Sequence, residues 1–95
     1  SVPIIDGAIE FAQMGLVPGG AYSNMHHIGD KVKFEGNISE AIQDILFDPQ
    51  TSGGLLISVP KDSVDLLLEE LKDTPNEFAV IGEVVEKEDA FIIVK

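Results

Sequence analysis

Apolar positions along the chain change period several times. Behind Pro3, which a first helical turn tolerates, Ile4, Ile5, Ala8, Phe11 and Ala12 recur at helical spacing, and Gly15 supplies a C-terminal cap. The spacing predicts a helix over about residues 4–14. Val17-Pro18-Gly19-Gly20 reads as a loop, and a short helix follows over roughly 21–28. Lys31-Val32-Lys33-Phe34 alternates as a short edge strand does. Asn37-Ile38-Ser39-Glu40 has the form of a capping box with Asn in place of Ser or Thr. Ile38, Ala41, Ile42, Ile45 and Leu46 then trace one face of a helix over about 38–47. Asp48-Pro49 ends it, because proline disfavours helical geometry in the residue before it.

The second half carries a polar loop, Gln50-Thr51-Ser52-Gly53-Gly54, followed by the apolar run Leu55-Leu56-Ile57-Ser58-Val59. A run of that length without alternation predicts a central strand buried on both faces. Val64, Leu67, Leu68 and Leu71 mark a helix over about 61–72, with Asp62 near its N-terminus, where the helix dipole favours negative charge. Phe78 to Val85 and Phe91 to Val94 read as strands of a hairpin joined by the acidic turn Glu86-Lys87-Glu88-Asp89. The expected architecture is α+β, with helices packed on one face of a small, mostly antiparallel sheet. Three strands and three helices are the best-marked elements. No repeat, low-complexity stretch or linker interrupts the chain, so residues 1–95 are expected to form a single unit.

Composition narrows the functional classes. Ninety-five residues make one domain at most, and a chain this short buries only about 60–65% of its unfolded surface. At 44% hydrophobic it is too apolar to be disordered. Its net charge of −11 excludes nucleic acid as a partner, since phosphate backbones call for Lys and Arg, and it argues against anionic membrane surfaces. Without Cys there is no disulfide, thiolate nucleophile or cysteine-bound zinc, and a reducing, cytoplasmic setting fits. Ser1-Val2-Pro3 lacks the basic segment of a signal peptide, and the longest wholly apolar run, Ala90 to Val94, is far too short to span a bilayer. A start at Ser1 fits removal of an initiator Met and a cut inside a longer protein equally well.

Chemistry read from the residues alone is sparse. Gly19-Gly20 either opens a helix whose free N–H groups attract an anion or makes a turn that needs positive φ. Gly53-Gly54 enters a strand, the wrong order for a Walker-type phosphate loop. Thr51 and Ser52 could still touch a ligand there, or the segment is simply a bulged strand entry. His26-His27 is a poor chelate, since adjacent helical residues face apart, and it reads as a solvated pair. Asp48 either contacts a ligand or metal or bonds the backbone of its own turn. No EF-hand spacing and no Ser-His-Asp arrangement is present.

Two blocks change this picture. Asp48-Pro49-Gln50-Thr51-Ser52-Gly53-Gly54-Leu55-Leu56 resembles the DPQTSGGLL signature of the C-terminal half of selenophosphate synthetase, also called selenide, water dikinase. Leu16-Val17-Pro18-Gly19-Gly20-Ala21-Tyr22-Ser23-Asn24 is similar to that family's VPGG…N segment. Their spacing, together with Val2-Pro3 and Ile81-Gly82-Glu83-Val84, extends the resemblance over essentially the whole chain.

The resemblance implies an ATP-dependent enzyme that makes selenophosphate from selenide, ATP and water, releasing AMP and phosphate, with Mg²⁺ and a monovalent cation. It implies the fold of the aminoimidazole-ribonucleotide synthetase superfamily, with an N-terminal ATP-binding domain followed by an α+β C-terminal domain. The family's reactive Cys or selenocysteine, its neighbouring Lys and its magnesium-holding aspartates have no counterpart here. The chain therefore corresponds to a part of the C-terminal domain, and alone it is expected to be non-catalytic and to bind neither cofactor nor metal. Gly19, Gly20 and Asn24 in one block, and Asp48, Gln50, Thr51, Ser52, Gly53 and Gly54 in the other, are the candidates for loops facing the cleft of the complete enzyme. No residue follows as catalytic. Expected partners are the ATP-binding domain, with ATP and selenide in the whole enzyme. An uncovered sheet edge or apolar face also predicts self-association of the piece. The alternatives are an aminoimidazole-ribonucleotide synthetase or thiamine-monophosphate kinase type of enzyme, or a free-standing acidic module that binds a basic partner.

Overall fold

A computed structural model describes all of residues 1–95. The chain divides into two compact units, one of Ile4–Thr51 with Val84–Lys95 and the other of Ser1–Pro3 with Ser52–Glu83.

The larger unit holds helices α1 (Ala8–Gln13), α2 (Gly19–Ile28) and α3 (Glu40–Leu46) and strands β1 (Val32–Phe34) and β2 (Ile92–Val94). Helix α1 is shorter than the apolar spacing predicts. Gly7 takes φ 83°, a left-handed conformation that helix cannot run through, so Ile4 and Ile5 stay outside. Its end is as expected: Gly15 takes φ 77°, its N–H donates to the Ala12 carbonyl at 2.9 Å, and the Leu16 N–H donates to Phe11 at 3.0 Å. These are the two bonds of a Schellman ending.

Helix α2 starts two residues earlier than predicted. Pro18 is extended and accepts from the Ala21 N–H at 2.9 Å, so Gly19-Gly20 forms a first helical turn and not a loop. In α3 the cap is Ser39 in place of Asn37. Ser39 is extended, and its hydroxyl accepts from the Ile42 N–H at 3.4 Å, which delays the helix to Glu40.

The sheet differs most from expectation. It has two strands, β1 and β2, and they run parallel with Val32 opposite Ile92, Lys33 opposite Ile93 and Phe34 opposite Val94. A parallel pair needs a long crossover connection, and here the chain between Phe34 and Ile92 supplies it. Bonds from the Phe91 N–H to Lys31 and from the Glu35 N–H to Val94 extend the ladder at both ends. The predicted hairpin is absent, because Phe78 to Val85 forms no strand. Lys87 instead lies over the Phe91 ring at 4.2 Å.

Helix α1 packs on α3, and α3 on α2. The buried apolar residues are Ala21, Ala41, Phe47 and Ala90. Phe47, just past α3, meets Phe34 of β1 edge-on, with ring centroids 6.0 Å apart. That contact joins the sheet to the helices.

The smaller unit holds helix α4 (Val64–Leu71), entered through one tight turn at Lys61–Ser63. The helix predicted over 61–72 is thus present. The predicted central strand is not: Leu55 is 92% exposed, Leu56 82%, and no ladder joins the run to a neighbour. A strand exists only where a second strand satisfies its backbone, and this unit offers none.

No helix of the chain is long and apolar enough to cross a membrane.

Candidate functional site

The first sequence block and the start of the second meet within the larger unit. Helix α2 places Gly20 and Asn24 four residues apart, hence on one face. Helix α3 ends at Leu46, and its last residues leave backbone carbonyls without helical partners. Asn24 fills one of these vacancies: its amide Nδ2 donates to the Phe47 carbonyl at 2.9 Å. One turn earlier, Gly20 leaves room for Pro49. A Cβ at position 20 would stand 2.8 Å from Pro49 Cγ and 3.3 Å from its Cβ. Gly20 is therefore glycine because the Pro49 ring occupies its side-chain space.

Beyond Phe47 the backbone turns tightly. The Asp48 N–H donates to Ile45 at 3.1 Å, and the Gln50 N–H donates to Asp48 at 2.8 Å, closing a three-residue turn at Pro49. Asp48 is half-buried, while Gln50 and Thr51 are exposed. In the smaller unit the loop continues through Ser52, Gly53 and Gly54, all exposed. Ser52 takes φ 54°, a left-handed conformation that side chains rarely adopt. Neither Thr51 nor Ser52 makes a side-chain hydrogen bond.

Of the predicted site residues, the structure brings Gly20 and Asn24 against the stretch that leads into Asp48. Gly19 lies beside them in sequence, but a Cβ there would meet nothing within 4 Å, and the same holds for Gly54. The sequence reading missed Phe47 and Pro49 as the other half of the joint. The four-residue spacing from Gly20 to Asn24 on a helix was the available signal. That reading offered Asn24 as a candidate for a cleft-facing loop; in the structure its amide donates to the Phe47 carbonyl.

The electrostatics of these loops is spare. His26 and His27 are exposed on α2, and no group of three His, Asp or Glu side chains stands close enough to hold a metal ion. The chain has no Arg, and none of its six Lys belongs to either block. A nucleoside triphosphate with Mg²⁺ calls for clustered carboxylates on the metal and a cation facing the phosphates, so these residues do not by themselves fit that group. Lys33 sits above its ordinary pKa because Glu35 accepts its hydrogen bond at 3.1 Å and adds an attractive charge.

The chain, a small α+β frame carrying this joint, is similar to a known domain class. It belongs to the family described as AIR synthase related protein, C-terminal domain, whose model matches residues 19–95. Within that family the similarity is to selenide, water dikinases. The protein of that name from Clostridioides difficile is 52% identical over 94 residues, covering 98% of this chain and 27% of the relative. The one from Treponema denticola is 48% identical, covering 97% and 27%. The one from Clostridium botulinum strain Eklund 17B is 43% identical, covering 100% and 28%. The chain thus spans little more than a quarter of the length of these relatives. No solved structure matches it significantly.

The joint yields a paired prediction. Gly20→Ala forces a Cβ into the Pro49 ring and is expected to destabilise by about 1–2 kcal/mol, despite alanine's better helix propensity. Gly19→Ala, with open space at that position, is expected to be neutral or mildly stabilising. Asn24→Ala leaves the Phe47 carbonyl unpaired and should cost about 1 kcal/mol. Denaturant unfolding of the three variants checks the order.

Proposed function

We propose that residues 1–95 are part of the C-terminal domain of a selenide, water dikinase. The whole protein would convert selenide, ATP and water to selenophosphate, AMP and phosphate, using Mg²⁺ and a monovalent cation. The observation that carries this reading is the convergence of the Gly19–Asn24 and Asp48–Gly54 blocks, which resemble one family's paired motifs and which meet through Gly20 and Pro49. The names of the relatives support it.

The chain's share of the work is architectural. Phosphoryl transfer depends on cations positioned around the phosphates, and this chain carries a net charge of −11. ATP and its metal belong to the ATP-binding domain in the rest of the protein. The Asp48–Gly54 loop, with Gln50, Thr51 and Ser52 exposed, forms one wall of the cleft, and its start at Pro49 rests on α2. Gly53 and Gly54 let a ligand approach the backbone closely. The working compartment is the cytoplasm, and neither nucleic acid nor a membrane is a partner of this surface. The 95 residues alone are inactive.

The exposed apolar residues Leu55, Leu56, Ile57, Val80 and Val84 are surface that the rest of the protein covers. Separated from it, the piece self-associates.

Two measurements test this reading. The full-length protein should form AMP from ATP only when selenide is present, and the 95-residue piece should form none. Absence of selenide-dependent AMP from the full-length protein would refute the assignment. Light scattering across a concentration series should show the piece's mass rising above 10.2 kDa. A mass that stays monomeric throughout would contradict the uncovered surface.

A further inference from the structure

A pocket in the larger unit is lined by none of the joint's residues. Its volume is about 410 Å³, and Gln13 of α1, Tyr22 of α2, and Ser39, Glu40 and Asp44 around α3 contribute its polar lining. Asp44 is the unusual member. It is only 6% exposed, yet its side chain ends in a carboxyl group. The chain's ion pairs are Lys33–Glu35 and Lys72–Glu69, and no side-chain hydrogen bond reaches the Asp44 carboxylate. No side-chain oxygen of the chain is both sealed from solvent and unpartnered, so the Asp44 oxygens open into the pocket.

Three features of the surroundings call for a positive charge beside Asp44. Its oxygens face the pocket with no hydrogen bond or ion pair, so their acceptor sites are free for a donor. Glu40, which lines the same pocket, lies one turn earlier on α3, where like charges repel. The last turn of α3, which the dipole makes negative, carries no basic residue. All three are met by one change, a positive charge in the pocket. The chain does not provide it: Lys31, Lys33, Lys87 and Lys95 belong to the same unit but none lines the pocket, and there is no Arg.

We infer that this pocket seats a lysine or arginine side chain from the part of the full-length protein outside these 95 residues. The relatives are about three and a half times as long as this chain, so most of the protein is available to supply it. The lining suits such a side chain. Ala12 and Ala41 receive the apolar stem. Asp44 and Glu40 take the charge, and the Gln13, Tyr22 and Ser39 oxygens accept the remaining N–H donors. The contact would lock the α1–α3 layer to the rest of the protein. It requires only that these residues belong to a longer protein, not that the proposed reaction is right.

The test is Asp44→Asn in the full-length protein, read by thermal unfolding. Asparagine keeps the shape and removes the charge. With a buried cation opposite, the midpoint should fall by about 5 °C or more, because the cation is left uncompensated. Without one, removing an unpaired buried carboxylate leaves the midpoint unchanged or raises it, and the inference is overturned. A structure of the full-length protein decides independently, even if the variant fails to fold. A lysine or arginine nitrogen from outside these residues should lie within about 4 Å of the Asp44 carboxylate. Water alone, or an uncharged side chain, would overturn the inference.

Discussion

The contact between the Gly20 backbone and the Pro49 ring is the constraint on which the arrangement of the candidate site depends. Proline ends α3 and turns the chain, and the absence of a side chain at Gly20 lets α2 come close enough to receive that turn. Asn24, one helical turn on, converts the approach into a defined register by donating to the Phe47 carbonyl. Phe47 in turn reaches Phe34, so the same few residues connect the loop, two helices and the sheet. A glycine, an asparagine, an aromatic ring and a proline, none of them catalytic in kind, thereby decide where Asp48 and the residues after it begin.

This explains why two glycine pairs that look alike in sequence differ in meaning. Gly20 is required by a neighbour, whereas Gly19 and Gly54 have open space where a side chain would be. What the second pair does must come from the loop's own conformation, in which Ser52 sits in the left-handed region, or from groups the rest of the protein brings. Charge sets the blocks apart from a phosphate site in the same way: the chain is rich in carboxylates, has no Arg, and places no Lys in either block.

Local signals in the sequence were good guides to the helices. Val64, Leu67, Leu68 and Leu71 mark α4, and Gly15 marks the end of α1, because helical periodicity and C-terminal glycine caps act within a few residues. Helix starts were less legible. Gly7 and Ser39 each set a boundary through a backbone conformation that spacing does not reveal. Strands failed for a different reason. Leu55–Val59 has the composition of a central strand, but a strand needs a partner, and partner choice is a long-range property that composition does not carry. The same gap hid the parallel pairing of β1 with β2. The site was legible as two motifs but not as a joint, since the roles of Phe47 and Pro49 appear only when α2 is laid against them.

The central claim is that α2 and the turn at Pro49 act as one element. A double-mutant cycle between Gly20→Ala and Pro49→Ala measures it most directly, with stability from denaturant unfolding. Removing the proline ring takes away the atom 2.8 Å from the new Cβ. The account predicts that Gly20→Ala costs at least about 1 kcal/mol less in the Pro49→Ala background than alone. Additive effects, with the same cost in both backgrounds, would contradict it.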